Sequence, residues 1–388
     1  VFHREFGRNA KVWDREKVVI IPDHYIFTAD RKAHRNVDIL REFVKEQGLP
    51  YYYDPGTSNY KGVCHLALPE EGHVRPGEVI FGTDSHTCSH GALGAFATGI
   101  GNTDAGFVMG TGKLLIKVPV TRRFRFDGRK PDYAMAKDMI LRVIGDIGVD
   151  GANYAAMEFA GEAVTALSID ERMTLCNMAI EAGAKSGIIE PDDTTLAYVR
   201  ARARKPFTPV YGDPDARIES EKRYDAATLE PCVAAPHLPS NYSPARKMGD
   251  VKIDRVYIGS CTGGKKSDFL AAARVLNGRK VRVETFLVPA TAEVAEFLMA
   301  ETIGGRSLVE VFAAAGCREI APPSCAACLG GPPDTYGYAH GREVIVSTTN
   351  RNFIGRMGSK DAGVYLASPL TAAASAVTGR ITDPREFM

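Results

Sequence analysis

Short β-branched runs that end in small or polar residues, each followed by a stretch with a helical period, recur through this chain. That alternation restricts it to an α/β architecture. "KVVIIPDH" is such a run. "HRNVDILREFVKEQG" follows, with apolar positions at Val37, Ile39, Leu40, Phe43 and Val44 and a glycine at its end. "GEVIFGTDSH" is a second run that ends on polar residues, and the glycine-rich "GALGAFATGIGNTDAGFVMGTGKLL" after it reads as tightly packed helix with turns. In α/β proteins the polar tips after strands are where ligands sit.

The pattern changes at "VPVTRRFRFDGRKP", which reads as a strand and hairpin, followed by helices in "AKDMILRVIGDIG" and "DERMTLCNMAIEAGAKSG". From about residue 207 to 249 proline and charge are frequent and periodicity is weak, so a long connection is expected there. "VKIDRVYIGSCTGG" restarts the alternation with a strand that ends at a small-residue turn. "KKSDFLAAARVLNG", "VRVETFLVP", "TAEVAEFLMAETIG" and "SLVEVFAAAG" continue it.

Composition removes several function classes. The 388 residues are 45% apolar and 24% charged, an ordinary globular balance. No apolar run approaches the roughly 18 residues of a membrane-spanning helix. With 48 basic and 47 acidic residues the net charge is +1, too balanced to gather nucleic acid or an anionic membrane surface. Eight cysteines are scattered through apolar or glycine-rich surroundings rather than packed as a disulfide scaffold, which points to a reducing compartment. The sequence opens at Val1 without an initiator Met or an apolar signal region, as expected of one that starts partway into a gene product. No GxGxxG follows a strand, and "GTGKLL" lacks the spacing of a phosphate-binding loop, so nucleotide binding has no support.

The residues that carry chemistry sit at strand tips. Cys261 lies in "GSCTGG", and Cys325 and Cys328 lie in "PPSCAACLGG". By spacing alone they are a redox pair, part of a zinc or iron–sulfur site, or buried small residues. Glycine-rich turns let backbone amides approach a sulfur-ligated centre. A redox CxxC belongs at a helix start early in a βαβ unit, and zinc lacks a nearby fourth ligand, so both rank lower. Asp23–His24 in "PDHY", His65 in "GVCHLAL", and Asp84, Ser85 and His86 in "GTDSHT" place acid–base groups beside turns, where an Asp orients a ring or holds an imidazolium. Asn177 and Glu181 are four apart in "MTLCNMAIEAGA" and are expected on one helix face. "STTNRNFIGRMG" carries Asn350, Arg351 and Arg356 in a loop after "REVIVS", and arginine forks suit carboxylates.

"PDHY", "GTDSHT", "CNMAIEAGA", "GSCTGG", "SCAACLGGP" and "TNRNFIGRMG" occur in the order seen in the aconitase superfamily, and the resemblance runs nearly the whole chain. Within it the sequence resembles the large subunits of isopropylmalate dehydratases, of the plant and algal plastid type. The resemblance implies an α/β, aconitase-like fold of three α/β/α domains, at about 1–119, 120–246 and 247–388, around an iron–sulfur site. It implies a labile [4Fe-4S] cluster on Cys261, Cys325 and Cys328, with one iron free of cysteine. Asp23 and His24 then resemble the pair that protonates a leaving hydroxyl. His65 resembles a second histidine, supported by Glu181. Asp84, Ser85 and His86 match a turn around the cluster and substrate. Asn177 and Asn350 match asparagines near the cluster, and Arg351 and Arg356 match arginines near the substrate.

The implied reaction is dehydration of 2-isopropylmalate and rehydration to 3-isopropylmalate, in leucine biosynthesis. The same chemistry on homoaconitate, citraconate or a methylthioalkylmalate is the alternative within the class. A cluster-free regulatory or RNA-binding protein on the same scaffold is the alternative outside it. Relatives draw site contacts from a segment before the position of Val1. Single-chain aconitases continue past "GRITDPREFM" into a swivel domain that carries a serine base. A separate small subunit is therefore the expected partner, and the plastid stroma, or else the cytoplasm, the expected location.

Overall fold

A computed structural model describes residues 1–388. Its largest sheet has six strands, in the order Tyr242–Pro244, Cys232–Ala234, Gly363–Ala367, Val344–Ser347, Arg255–Gly259 and Glu284–Val288. The last four run parallel, and Cys232–Ala234 pairs antiparallel with Gly363–Ala367. A second sheet is wholly parallel, in the order Ser186–Ile188, Ala155–Ala160, Val120–Asp127 and Ile218–Asp225. The N-terminal part has only two parallel pairs: Val19–Ile20 with Tyr51–Tyr52, and Val79–Gly82 with Phe96–Gly99. The expected α/β class is what the chain adopts, and no helix is long and apolar enough to cross a membrane.

Parallel strands need helical crossovers, and the apolar periods supply them. Arg31–Gln47 begins on Asp30, whose side chain accepts from Ala33 N, and ends at Gly48 in the left-handed conformation. Ala136–Ile147 is buried on nearly every side, packed between Ile169–Asn177 and the strands Cys232–Ala234 and Tyr242–Pro244. One apolar core joins the first two parts of the chain to the face of the six-stranded sheet that carries Tyr257 and Ile345. A second lies on the opposite face, under Lys266–Leu276 and Pro369–Thr378.

Three expectations are corrected. "VPVTRRFRFDGRKP" is not a hairpin: Val120–Asp127 has parallel neighbours on both sides, and Gly128, with φ +79°, turns the chain away toward a helix. Residues 207–249 are not simply a connection. Ile218–Asp225 is an edge strand whose charges pair across the sheet, Glu219 with Arg122 at 2.7 Å and Glu221 with Arg123 at 3.6 Å. Such a strand shows no apolar alternation because its stabilising pairs are ionic. Residues 232–244 belong to the six-stranded sheet that dominates the C-terminal part. The glycine-rich stretch after "GTDSH" likewise holds a strand, Phe96–Gly99, besides its helical turns.

The N-terminal and C-terminal parts meet closely at one point. Gly62 bridges Thr291, and a Cβ there would strike the carbonyl oxygen of Ala290. That contact brings the helix bearing His65 against the C-terminal sheet.

Candidate active site

Each candidate side chain follows from a local feature. Asp23 and His24 leave the short strand Val19–Ile20, and Tyr25 behind them takes φ +54°. Asp84 follows the strand Val79–Gly82 and caps the 3₁₀ run Ser85–Leu93 by accepting from His86 N at 2.7 Å. His65 sits in the first turn of Cys64–Glu70. Cys261 follows the strand Arg255–Gly259. The helical turn Ser260–Gly263 must be small, because a Cβ on Gly263 would collide with the side chain of Thr348. Ser260 beside Cys261 has φ +74°, and Ala326 beside Cys325 has φ +39°. Together with Tyr25, these are three of the four non-glycine residues with positive φ, the other being Tyr154. Non-glycine residues hold such angles only where the surroundings impose them, and they concentrate at functional sites.

The acid–base groups form one connected ring. Asp23 is buried; it accepts from Cys64 N at 2.8 Å and pairs closely with His24 Nδ1. His24 Nε2 lies 3.5 Å from Asp84, and His65 Nε2 reaches Asp84 at 2.8 Å. His86 Nε2 meets Glu181 at 2.8 Å. Glu181 in turn accepts from Arg351 Nε at 2.8 and 3.0 Å, and Arg351 Nη2 donates to Ser85 Oγ at 3.1 Å. Burial alone would lower His24, but the Asp23 and Asp84 carboxylates outweigh it and raise the ring to about 10. Burial pushes Asp84 up, and His65, His24 and His86 together bring it far below the carboxylate range. Glu181 behaves alike: burial opposes its charge, and His86 and Arg351 restore it.

The thiols lie against this ring. Asp23, His24 and Cys325 hold potential ligand atoms within 4.8 Å of one another. Asn177 Nδ2 donates to Cys261 Sγ at 3.1 Å, Asn350 Nδ2 approaches the same sulfur at 3.5 Å, and Asn350 Oδ1 lies 3.7 Å from Cys328 Sγ. Every cysteine is a free thiol. Burial raises Cys261 to about 12 and Cys325 well above an ordinary thiol, so both are neutral unless a cationic centre takes their protons' place. Two amide N–H groups aimed at one sulfur suit an ionised, ligating thiolate far better than a thiol, which accepts hydrogen bonds weakly. The donor set therefore fits a sulfur-ligated metal centre.

Residues 9–248 and 240–379 match the family described as Aconitase family (aconitate hydratase). The chain belongs to the aconitase family. It is 59% identical over 400 residues to 3-isopropylmalate dehydratase large subunit, chloroplastic, of Arabidopsis thaliana, an overlap of 100% of this chain and 79% of that protein. It is 49% identical over 380 residues to 3-isopropylmalate dehydratase large subunit 1 of Methanopyrus kandleri, covering 97% of this chain and 88% of that one. The Moorella thermoacetica large subunit is 47% identical over 380 residues, covering 97% and 87%.

The structure brings thirteen of the fourteen residues expected from the aconitase-family resemblance into this one network of contacts. The remaining residue, Arg356, makes no side-chain hydrogen bond or ion pair; its Nε is buried without a partner, and its charge acts on Tyr25. One pairing differs from expectation. Glu181 does not support His65; it binds His86 and Arg351, while Asp84 at the head of the 3₁₀ run captures His65. A second detail also differs: the helix Ile169–Asn177 ends at Asn177 and tightens into a 3₁₀ turn, Met178–Ala182. Asn177 and Glu181 are thus in successive elements, both buried. Sequence reasoning missed Cys64, whose N–H fixes Asp23, and Ser89, which accepts from Asn177 at 2.8 Å.

Proposed function

We propose that this chain is the large subunit of a 3-isopropylmalate dehydratase, a hydro-lyase that isomerises 2-isopropylmalate to 3-isopropylmalate in leucine biosynthesis. The observation that carries the reading is the juxtaposition of the thiol turns with a protonated His24. Identity to the named large subunits along the whole chain supports the choice of substrate.

In this reading Cys261, Cys325 and Cys328 hold a labile [4Fe-4S] cluster with one iron free of cysteine. When bound, the cluster supplies a Lewis acid that draws electron density from the leaving hydroxyl. His24, kept protonated by Asp23 and Asp84, presents its Nε2 proton to that hydroxyl, which departs as water. Asp84 fixes His65 and His86 around the same pocket. Arg356 offers a guanidinium free of any carboxylate of its own to a substrate carboxylate, and Arg351, anchored on Glu181, offers its outer face. Asn177 and Asn350 orient the sulfurs, and Ser85, bonded to Arg351, stands on the substrate side. The proton on the adjacent carbon leaves to a base on a separate small subunit. The words "large subunit" in the names of the relatives support that division, and "chloroplastic" in the name of one supports a plastid location.

The test is anaerobic reconstitution with iron and sulfide, then assay on several malate analogues with and without a small subunit of the same family. Turnover of isopropylmalate only when both chains are present is expected. Full turnover by this chain alone would overturn the division of labour, and preference for another malate would overturn the substrate.

A further inference from the structure

Two stretches without helix or strand face each other beside the thiols. Residues 21–30 carry Asp23 and His24 and lead into the helix Arg31–Gln47. Residues 316–343 carry Cys325 and Cys328, and their one regular element is the 3₁₀ turn Ala326–Leu329. A stretch of that length with so little regular structure is uncommon in a packed domain and usually serves binding or closure.

The cysteine loop is held from its own side. The Pro323 carbonyl accepts from the Tyr60 hydroxyl at 2.7 Å, the Cys325 carbonyl from that of Tyr257 at 3.4 Å, and the Glu319 carbonyl from that of Tyr336. The facing loop is fixed at both ends. Asp23 accepts from Cys64 N at 2.8 Å, and Asp30 caps the following helix at Ala33 N. Between those ends residues 25–29 form a strap. One of its ties, the Thr28 carbonyl to His34 Nε2 at 2.6 Å, stays within the N-terminal part. Its polar ties to the cysteine loop are the Tyr25 hydroxyl, 3.5 Å from the Leu329 carbonyl, and Asp334. The two oxygens of Asp334 accept from Thr28 Oγ1 at 2.6 Å and Ala29 N at 2.7 Å, both in exposed positions.

A cavity of about 30 Å³ lies between strap and loop, and Asp23, Tyr25, Phe27, Ser324, Ala326 and Thr335 are among its walls. Thr335 Oγ1 is buried without a partner. Ser324 and Ala326 flank Cys325, and of the three thiols proposed to hold the cluster Cys325 alone is only partly buried.

We infer that residues 25–29 are a strap that opens to pass iron to and from the Cys325 turn, and that Asp334 is the clasp that keeps it shut. The inference rests on the proposed cluster at those cysteines. Both loops are anchored without Asp334, so releasing the clasp frees the strap and leaves the Asp23–Cys64 contact and the cysteine turn in place. Asp334 bonds neither the acid pair nor a thiol and is a positioning residue, not a catalytic one.

Asp334→Ala releases the clasp from one side and Thr28→Val from the other. Asp54→Asn, at an exposed carboxylate held by Arg41, is the control. Amide hydrogen exchange and melting temperature are measured on the full cluster-free chain, and release of iron to a chelator on the reconstituted one. Residues 25–29 should exchange about tenfold faster in Asp334→Ala, as expected for loss of a charge-assisted bond at a local opening. Thr28→Val should move the same residues in the same direction. In both, iron should leave faster while the melting temperature holds, and the control should change neither. A merely structural tie would lower the melting temperature and leave the iron rate alone. Unchanged exchange at residues 25–29, or faster exchange with unchanged iron release, overturns the inference. Failure of the unaltered chain to retain iron would instead remove the proposed cluster, and the exchange comparison would still decide whether Asp334 clasps the strap.

Discussion

Around Asp84 every charge has its opposite: His65 at 2.8 Å, His86 at 3.3 Å and His24 at 3.5 Å, with Glu181 and Arg351 closing the ring beyond. Around Cys328 the partners are neutral amides: Asn350 Oδ1 lies 3.7 Å from its sulfur, and Nδ2 of the same side chain lies 3.5 Å from Cys261 Sγ. The two regions touch at Asp23, His24 and Cys325 but are finished by different means. Protein charges complete the histidine ring, whereas on the proposed function the sulfur turns are completed by a group that comes from outside. Damage to the ring should therefore register in the cluster-free chain, and damage to the turns only in the loaded one.

The largest expected effect lies on the sulfur side. Serine at Cys261, Cys325 or Cys328 should abolish iron retention and turnover with little change in cluster-free stability, while Cys317→Ser and Cys232→Ser keep the iron. Iron analysis after anaerobic gel filtration checks it, and equal iron in Cys325→Ser would erase the contrast between the regions. Next comes Glu181→Gln, which removes a buried carboxylate that serves both His86 and Arg351. Breaking such a pair costs about 3–5 kcal/mol, and urea unfolding of the cluster-free chain should show it. A loss confined to the reconstituted form would mean that the ring is not preassembled.

Arg356→Lys should be milder. The charge stays but the fork is lost, for about 1.5–3 kcal/mol of a charge-assisted contact. Steady-state kinetics should lose very roughly 10- to 100-fold in kcat/KM, with iron content and melting temperature unchanged. Kinetics like those of the unaltered chain would move Arg356 out of the site.

The last expected effect is one of pH. Folding raises His24 from its ordinary 6.5 to about 10, so its contribution to stability is whole below 6.5 and drains away as pH climbs through about 10. The difference in unfolding midpoint between this chain and His24→Gln should shrink over that interval. A constant difference would mean that His24 is not held protonated by the ring.

Much of this was legible in the sequence because it is local. Strand tips announce themselves by an apolar run that stops at Asp–His or at small residues, and both thiol turns are marked by their glycines and prolines. Partners across long separations leave no such mark. Nothing near Glu181 says that it meets His86 rather than His65, a choice made by how the 3₁₀ run of residues 85–93 aims its histidine. Ile218–Asp225 hid because it carries charges where an apolar alternation would otherwise mark a strand.

The reach of those contacts along the chain sets an order of events. Asn177 finds Cys261 84 residues later, Glu181 finds Arg351 170 residues later, and Ser85 finds Arg351 after 266. Contacts of such span form late, because loops that long must close before they are rewarded. His65 and Asp84, only 19 residues apart, can meet early, while Glu181 waits for its arginine. A nascent chain is thus without chemistry until the stretch past Arg351 has emerged and docked. On the proposed function, metal delivery belongs to the finished protein, since a stop before that loop would also remove Gly363–Ala367 from the middle of the six-stranded sheet and Pro369–Thr378 from the second core.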